Sequence, residues 1–506
     1  MQDVTIGAVQ TGKVTHKAFK ERALRGGFVT LAGQATMFVL RTGSMMVLAR
    51  LLLPEEFGVV GMVAVVTGFF NLFKDVGLSM ATVQRETITD GQISTLFWIN
   101  TAVGFGLALL SIALAPVLVA FFHETRLFWI MIFQSSAFIF SGAAAQHQAL
   151  LQREMRFFAL AAIDISSLLA SIVVAIGMAL GHCGYWALVG MAVSGPAVNM
   201  ILVWLAAAWV PGLPSRRTGV RAMIHFGGIV TLNNIIVYLA YNAEKVLLGR
   251  FWGAEVLGIY GRAYQLVTLP TSLLNSSVSR VAFPVFSRVQ NDPQRLRNYF
   301  LKLYSIVLSL TIPVTLTCAL FADEMILVVL GPKWSSAAPI FRFLAPTVLA
   351  LALINPLGWV LTSTGRVGRS MNMALVIAPV VIAAYFIGIS HGPNRVALCY
   401  STVMVLLVVP MTAWAIHGTS ISGRDLVKVV SRPLVSGLAA AGAGWVFIVV
   451  CGHYLPPIAR LSIGVCGVVA VYVSILLGIF GQKEFYMDII RSLLLSRGDV
   501  TEKKGA

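Results

Sequence analysis

The sequence predicts an all-α polytopic membrane protein of about fourteen transmembrane helices: two pseudo-symmetric six-helix bundles followed by two further helices. Three observations carry that prediction: a shortage of charge, a succession of long apolar stretches, and an internal repeat. Charged residues make up 11% of the 506-residue chain and hydrophobic residues 58%, whereas a soluble domain carries about 25% charge. Mean hydropathy is +0.85. No aqueous fold of this length manages with so few charges.

The net charge of +17 would suggest nucleic acid in a soluble protein. Here the basic residues are scattered through short loops rather than gathered on one domain, so their first meaning is topological. Nucleic acid is excluded as a partner on that ground. Of the five cysteines, Cys318, Cys399 and Cys466 lie within or beside apolar spans, where the thiol acts as a small hydrophobe. Cys183 and Cys451 fall in predicted outer loops, where a disulfide is conceivable. No spacing suggests zinc.

Residues 1–26 form a polar, basic segment (Lys13, Lys17, Lys20, Arg22, Arg25) without the short apolar core and small-residue cleavage site of a signal peptide. Apolar spans then follow at 27–53, 56–80, 96–122, 127–150, 157–180, 184–210, 222–252, 255–287, 299–330, 336–364, 369–390, 394–417, 429–452 and 457–480. Each is long enough to cross a hydrocarbon core of about 30 Å. They group as bundles at 27–210 and 222–417, two additional helices at 429–480, and a tail at 481–506. With the N-terminus inside, outer loops hold only Arg50, Arg126, Arg250, Lys333, Arg395 and Arg460 of the 37 basic residues. Most of the rest, including Arg153, Arg216, Arg288, Arg366 and Lys428, fall on the inner side. That asymmetry predicts that both termini face the cytoplasm. No loop is long enough to form a catalytic domain.

The repeat gives the architecture. Gly27-Phe-Val-Thr-Leu31 returns as Gly228-Ile-Val-Thr-Leu232, and Arg50, Glu55, Gly58 and Gly61 return as Arg250, Glu255, Gly258 and Gly261, displaced by 200 residues. Six spans separate the copies, so the halves share one orientation. Such parallel repeats are a transporter architecture, with the substrate expected between the halves.

Ionisable residues inside spans are costly and mark cavities, partners or ion paths. Arg41 lies near the middle of the first span and corresponds, at the 201-residue offset that relates Gly27 to Gly228, to Asn242 in the seventh. Tyr238, Tyr241, Asn242 and Lys245 follow i, i+3, i+4, i+7 spacing and share one helical stripe. Gln265, Ser272, Ser276 and Ser279 make a second polar stripe in the eighth span. A cationic cavity with tyrosines and amides suits a substrate bearing phosphate and sugar. The structural alternative is that Arg41 and Lys245 satisfy helix ends or pair internally, Lys245 with Glu244 or Asp164. Asp164 and Glu244 are themselves candidate proton or sodium coupling sites. No phosphate-binding loop indicates ATP hydrolysis, no metal cluster is seen, and no cofactor or enzymatic activity is implied.

The stretch from Asn242 to Thr271, with Ala282-Phe-Pro-Val-Phe-Ser287 and Asn291-Asp-Pro-Gln-Arg295, resembles the Wzx-type polysaccharide flippases of the MOP superfamily, in the branch that includes colanic-acid and other exopolysaccharide exporters. Asp75-Val-Gly-Leu78 with Val83-Gln-Arg85, Gly184-Tyr-Trp-Ala-Leu-Val189 and Leu330-Gly-Pro-Lys-Trp334 are similar to the same branch. The resemblance covers residues 25–420. It implies a flippase for undecaprenyl-pyrophosphate-linked oligosaccharide repeat units, with cavity cations meeting the pyrophosphate and a polysaccharide polymerase and chain-length regulator as pathway partners. The usual acid in the seventh-span segment of that family is Asp, and here Glu244 stands in its place. A MATE-like drug or lipid II transporter is the alternative on the same fold. A membrane polymerase or glycosyltransferase would need a large outer catalytic loop, which the chain lacks.

Overall fold

A computed structural model of the chain describes residues 16–74, 82–83, 88–214, 221–452, 454–484 and 487, and among these every regular element is helical. The helices run α1 (His16–Leu51), α2 (Pro54–Asn71), α3 (Asp90–Phe122), α4 (Arg126–Arg153), α5 (Phe157–Leu180), α6 (Trp186–Ala207), α7 (Arg221–Val289), α8 (Pro293–Leu320), α9 (Ala322–Val329), α10 (Ala337–Ser363), α11 (Val367–Ile389), α12 (Pro393–Ile416), α13 (Gly423–Cys451) and α14 (Pro457–Ser474). Among the described residues, ten of them, α3 to α6, α8 and α10 to α14, are long and apolar enough to cross a membrane. In each the backbone satisfies its own hydrogen bonds, which a hydrocarbon solvent demands. Large apolar side chains such as Phe105, Val173, Leu406 and Val409 point outward, as lipid-facing residues should.

The expected span at 27–53 overlaps α1, which starts earlier, and that at 56–80 overlaps α2 to Asn71, its residues 75–80 lying outside the described residues. Those at 222–252 and 255–287 are the two arms of α7, which breaks at Gly253 (φ 80°, ψ −175°). A positive φ there is open to glycine at little cost. One span divides differently from the sequence reading. Residues 299–330 are not a single helix: α8 ends at Phe321 and the short α9 follows. Asp323 and Glu324 open α9, where carboxylates complement the helix dipole, and each is held by arginine, Asp323 by Arg342 at 2.5 Å and Glu324 by Arg460 at 3.0 Å. All five cysteines are free thiols.

The chain forms two compact units, Met1–Gly261 and Arg262–Ala506. In the first, α3 packs on α4, α5 on α6, α4 on α6 and α1 on α5. His147 stacks on Trp204 with 4.3 Å between ring centres, and the Trp204 indole donates to the Ala143 carbonyl at 3.0 Å. The first arm of α7, and the second as far as Gly261, belong to this unit, where Tyr238 bonds to α2 and Gly258 seats against Pro54. In the second unit, α8, α10, α12, α13 and α14 enclose a core that includes Phe300, Tyr304, Leu308 and Ile312.

Two polar pairs lie outside the spans. Glu124 accepts from Arg126, whose guanidinium also donates to Glu55 at 2.5 Å. That hydrogen bonding holds the Glu124 carboxyl below its ordinary range. Arg297 donates twice to Asp425, at 2.6 and 2.8 Å. This bidentate pair joins the start of α8 to the start of α13, and with the Ser422 amide it holds the Asp425 carboxyl below the usual aspartate value. A depressed folded-state pKa stabilises above the unfolded value of about 4 and loses that stabilisation as pH falls through the folded value. Thermal unfolding in detergent should therefore show a lower midpoint as pH drops below about 4, with a flatter dependence for Asp425→Asn. An identical acid limb in that variant would mean the pair does not contribute.

Candidate functional site

The polar stripe read from the sequence is a bonded chain in the first arm of α7. The Lys245 ammonium donates to the Asn242 side-chain oxygen at 2.7 Å, and the Asn242 amide donates to the Tyr238 carbonyl at 2.9 Å. Tyr238 then crosses to α2, its hydroxyl donating to the Val65 carbonyl at 2.8 Å while its ring lies 6.2 Å from that of Phe69. The 3.6-residue period makes this possible, since it puts positions 238, 242 and 245 on one face. Tyr241 lies on the same face, partly buried.

Glu244 points elsewhere. It is fully buried, and neither carboxylate oxygen has a hydrogen-bond partner. Lys245 is its nearest compensating charge, felt through space while the ammonium itself bonds to Asn242. The internal Lys245–Glu244 ion pair left open by the sequence does not form among the described contacts. The usual rule is that buried charge is paired or neutralised, so an unpaired buried carboxylate is a group available to a proton or cation.

Arg41 sits in α1 with its side chain exposed. It has an acidic neighbour that its own helix does not supply: Asp164 on α5 interacts with its charge across the α1–α5 contact. Asp164 also accepts from the Asn199 amide of α6 at 3.4 Å. Sequence reasoning named both Arg41 and Asp164 but missed Asn199 and missed that α1 and α5 bring the two charges within electrostatic reach of each other. An amide in an otherwise apolar span was the only available signal for Asn199.

Gln265 lies in the second unit, where its side-chain oxygen accepts from Arg262 one turn earlier. Ser272 and Ser276 lie outside the described side chains, as do the segment 75–78 and residues 84–85 of the family-like motif.

The repeat has a structural counterpart close to this site. A Cβ on Gly58 would overlap the Ala254 carbonyl, and a Cβ on Gly258 would overlap the Pro54 carbonyl. Those two contacts exchange under the 200-residue displacement. The two copies of the Glu-x2-Gly motif therefore pack on each other reciprocally, as an isologous interface does. The same displacement relates the α1–α2 junction at Leu53 (φ −89°, ψ 154°) to the break at Gly253. One arm of α7 thus corresponds to α1 and the other to α2.

Residues 47–339 match the model of a family described as polysaccharide biosynthesis protein. The chain is 32% identical over 305 residues to the teichuronic acid biosynthesis protein TuaB of Bacillus subtilis (strain 168), covering 59% of this chain and 62% of that one, less than two thirds of its length. It is 29% identical over 362 residues to the lipopolysaccharide biosynthesis protein WzxC of Escherichia coli (strain K12), covering 70% and 73% of the two chains. Against the succinoglycan biosynthesis transport protein ExoT of Rhizobium meliloti (strain 1021) it is 22% identical over 408 residues, covering 80% and 82%. Among solved structures, lipid II flippase MurJ in an inward closed conformation aligns with a TM-score of 0.73 at 13% identity, covering 92% of this chain and all of that one. An inward-facing multidrug resistance MATE family transporter gives 0.58 at 12% identity, covering 80% and 99%. At those identities the likeness is one of fold alone.

Proposed function

Because the chain belongs to the polysaccharide biosynthesis protein family, we propose that it is a flippase. It moves undecaprenyl-pyrophosphate-linked oligosaccharide repeat units from the cytoplasmic to the periplasmic leaflet by alternating access, for lipopolysaccharide or exopolysaccharide biosynthesis. The observation that carries this reading is the Lys245–Asn242–Tyr238 chain in the first arm of α7, which together with Arg41 of α1 falls inside the expected spans 222–252 and 27–53 of a chain with the fold of MurJ. Cations at such depth complement a pyrophosphate that must cross a low-dielectric layer. Amides and tyrosine faces, including Asn242, Tyr241 and Gln265, suit hydroxyl-rich sugars. A cationic drug would be repelled by the same two charges.

In this reading α1, α2, the two arms of α7 and the ten apolar helices make fourteen crossings. They form bundles at 27–210 and 222–417 with two further helices at 429–480. Residues 1–26 and 481–506 face the cytoplasm, and the membrane is the bacterial inner membrane. Asp164 and Glu244 carry the coupling, exchanging a proton or sodium ion as substrate engages Arg41 and Lys245. No covalent chemistry is required. A polysaccharide polymerase and a chain-length regulator are the pathway partners.

Reconstitution tests the reading directly. Purified protein in vesicles should translocate a fluorescent undecaprenyl-pyrophosphate-linked saccharide without nucleotide. A proton or sodium gradient should accelerate it several-fold, and Asp164→Asn or Glu244→Gln should flatten that response. Failure to move any lipid-linked saccharide would overturn the function. Equal rates with and without a gradient would remove the coupling roles of the two acids.

A further inference from the structure

Helix α6 carries no charged residue in its 22, and Asn199 is its one side-chain amide. An amide in an apolar span commonly bonds to a neighbouring helix. Asn199 does so: its Nδ2 donates to Asp164 Oδ1 of α5 at 3.4 Å. The two residues face each other because α5 and α6 run antiparallel along one seam. A Cβ on Gly190 would meet Val174 and Met178, Gly195 lies against Ser171, and Asn199 follows, opposite Asp164. From the other side α1 packs on α5, with Gly33 against Ala161, and Arg41 of α1 acts on the Asp164 carboxylate through space. The ionisable groups of α4, which also packs on α5, are engaged elsewhere: Arg126 bonds to Glu55 and Glu124, His147 stacks on Trp204, and Arg153 donates to the Thr82 carbonyl. Asp164 is thus shared between an amide on α6 and a guanidinium on α1.

The fold does not itself require that carboxylate. The corner leading into α5 is built a second time at the start of α11. The Arg156 amide, after Met155 (φ 55°), donates to the Leu151 carbonyl at 3.0 Å; the Arg366 amide, after Gly365 (φ 74°), donates to the Leu361 carbonyl at 2.8 Å. Each arginine side chain also donates to a distant backbone carbonyl, Arg156 to Ala206 at 2.8 Å and Arg366 to Gly418 at 2.9 Å. Counted from these arginines, the residue equivalent to Asp164 is Ala374. The second copy of the corner folds with a methyl group in that place. Packing therefore does not explain why an acid and an amide meet across α5 and α6.

An ionisable group in an apolar span needs a partner or a path for an ion. When Arg41 turns to a more highly charged anion, Asp164 loses its counter-charge, and only the Asn199 amide of this pair of partners still holds it. We propose that Asn199 is the positioning residue of the coupling site, keeping the Asp164 carboxylate on the α5–α6 seam while Arg41 engages the anionic substrate and the coupling ion takes the place of the guanidinium. The proposal rests on the flippase reading above. Asn199 acts in it through Asp164 and touches neither substrate nor ion.

Exchanging the two side chains tests it. In vesicles, Asp164→Asn should lose the gradient acceleration of translocation. Asn199→Leu, which keeps the branched shape but not the donor, should lower the acceleration about threefold, and Asn199→Gln should retain part of it. The double variant Asp164→Asn, Asn199→Asp returns one carboxylate and one amide to the same seam and should recover most of the acceleration. A shared thermal midpoint shows that the variants are folded. Infrared spectra of the full chain with isotope-labelled aspartate read the contact without transport: the carboxyl band lost in Asp164→Asn should shift in Asn199→Leu. Full acceleration in Asn199→Leu, a folded exchange variant no better than Asp164→Asn, or an Asp164 band unmoved in Asn199→Leu would each overturn the proposal and leave the flippase reading standing. Wild-type vesicles that move no lipid-linked saccharide would sink both.

Discussion

Arg41→Ala should leave the protein inserted at a normal level and lower polymer export by at least tenfold in a flippase-deficient strain. The substrate would bring a doubly anionic pyrophosphate past a guanidinium held in α1, and a charge-assisted hydrogen bond of that kind is worth about 1.5–3 kcal/mol. That corresponds to roughly ten- to hundredfold in rate if the contact forms during transport. Arg41→Lys keeps the charge but not the planar fork, so part of the activity should survive. Because Asp164 interacts with Arg41, a purely structural role needs its own control. If Arg41 serves only as the counter-charge of Asp164, then Arg41→Ala should deplete the protein on an immunoblot, and adding Asp164→Asn should restore both level and export. If Arg41 meets substrate, the double variant should be stable and still unable to export.

Gly58→Ala and Gly258→Ala should each impair folding and export to a similar degree, whereas Gly261→Ala should be close to neutral. The prediction follows from the reciprocal contact. A Cβ at either of the first two positions meets a backbone carbonyl, of Ala254 or of Pro54, which cannot rotate away as a side chain can. The helices must separate locally, and overpacking of that kind costs about 1–3 kcal/mol. At Gly261 nothing lies within 4 Å of the added methyl. Thermal midpoints in detergent together with export assays would read both effects. Wild-type behaviour of Gly58→Ala with a marked loss in Gly258→Ala would show that the two contacts are not equivalent, and the structural repeat would then lack an energetic counterpart.

How far the site was legible follows from which residues are local to one another. The Tyr238–Asn242–Lys245 chain could be drawn from spacing alone, because helical periodicity places those positions on one stripe and hydrogen bonds between i and i+3 or i+4 need no other element. The electrostatic coupling of Arg41 with Asp164 could not. It depends on α1 packing on α5, where Gly33 lies against Ala161, and no periodicity within either helix encodes that pairing. The isolation of Glu244 was hidden for the opposite reason. Its neighbour Lys245 suggests a pair in sequence, but adjacent residues on a helix point about 100° apart, and the ammonium turns to Asn242 instead.

The sequence by itself determined the solvent of this protein and the kind of element it builds. Apolar runs of membrane-crossing length admit only helices whose backbone groups are satisfied internally. The family-like segments and the repeat were likewise visible as strings, since both are matters of residue order. Tertiary structure alone decided what the repeat is for in packing terms: Gly58 and Gly258 lack side chains so that two copies of one motif can approach to backbone contact. It also divided the ninth expected span at Phe321 and brought Arg41 and Asp164, far apart in the chain, within electrostatic reach of each other. The physical reason is the same in each case. Hydropathy is a sum over neighbours in sequence, whereas close approach and charge clustering depend on which helices lie side by side, and in lipid that choice is made by shape and polar contact rather than by hydrophobicity.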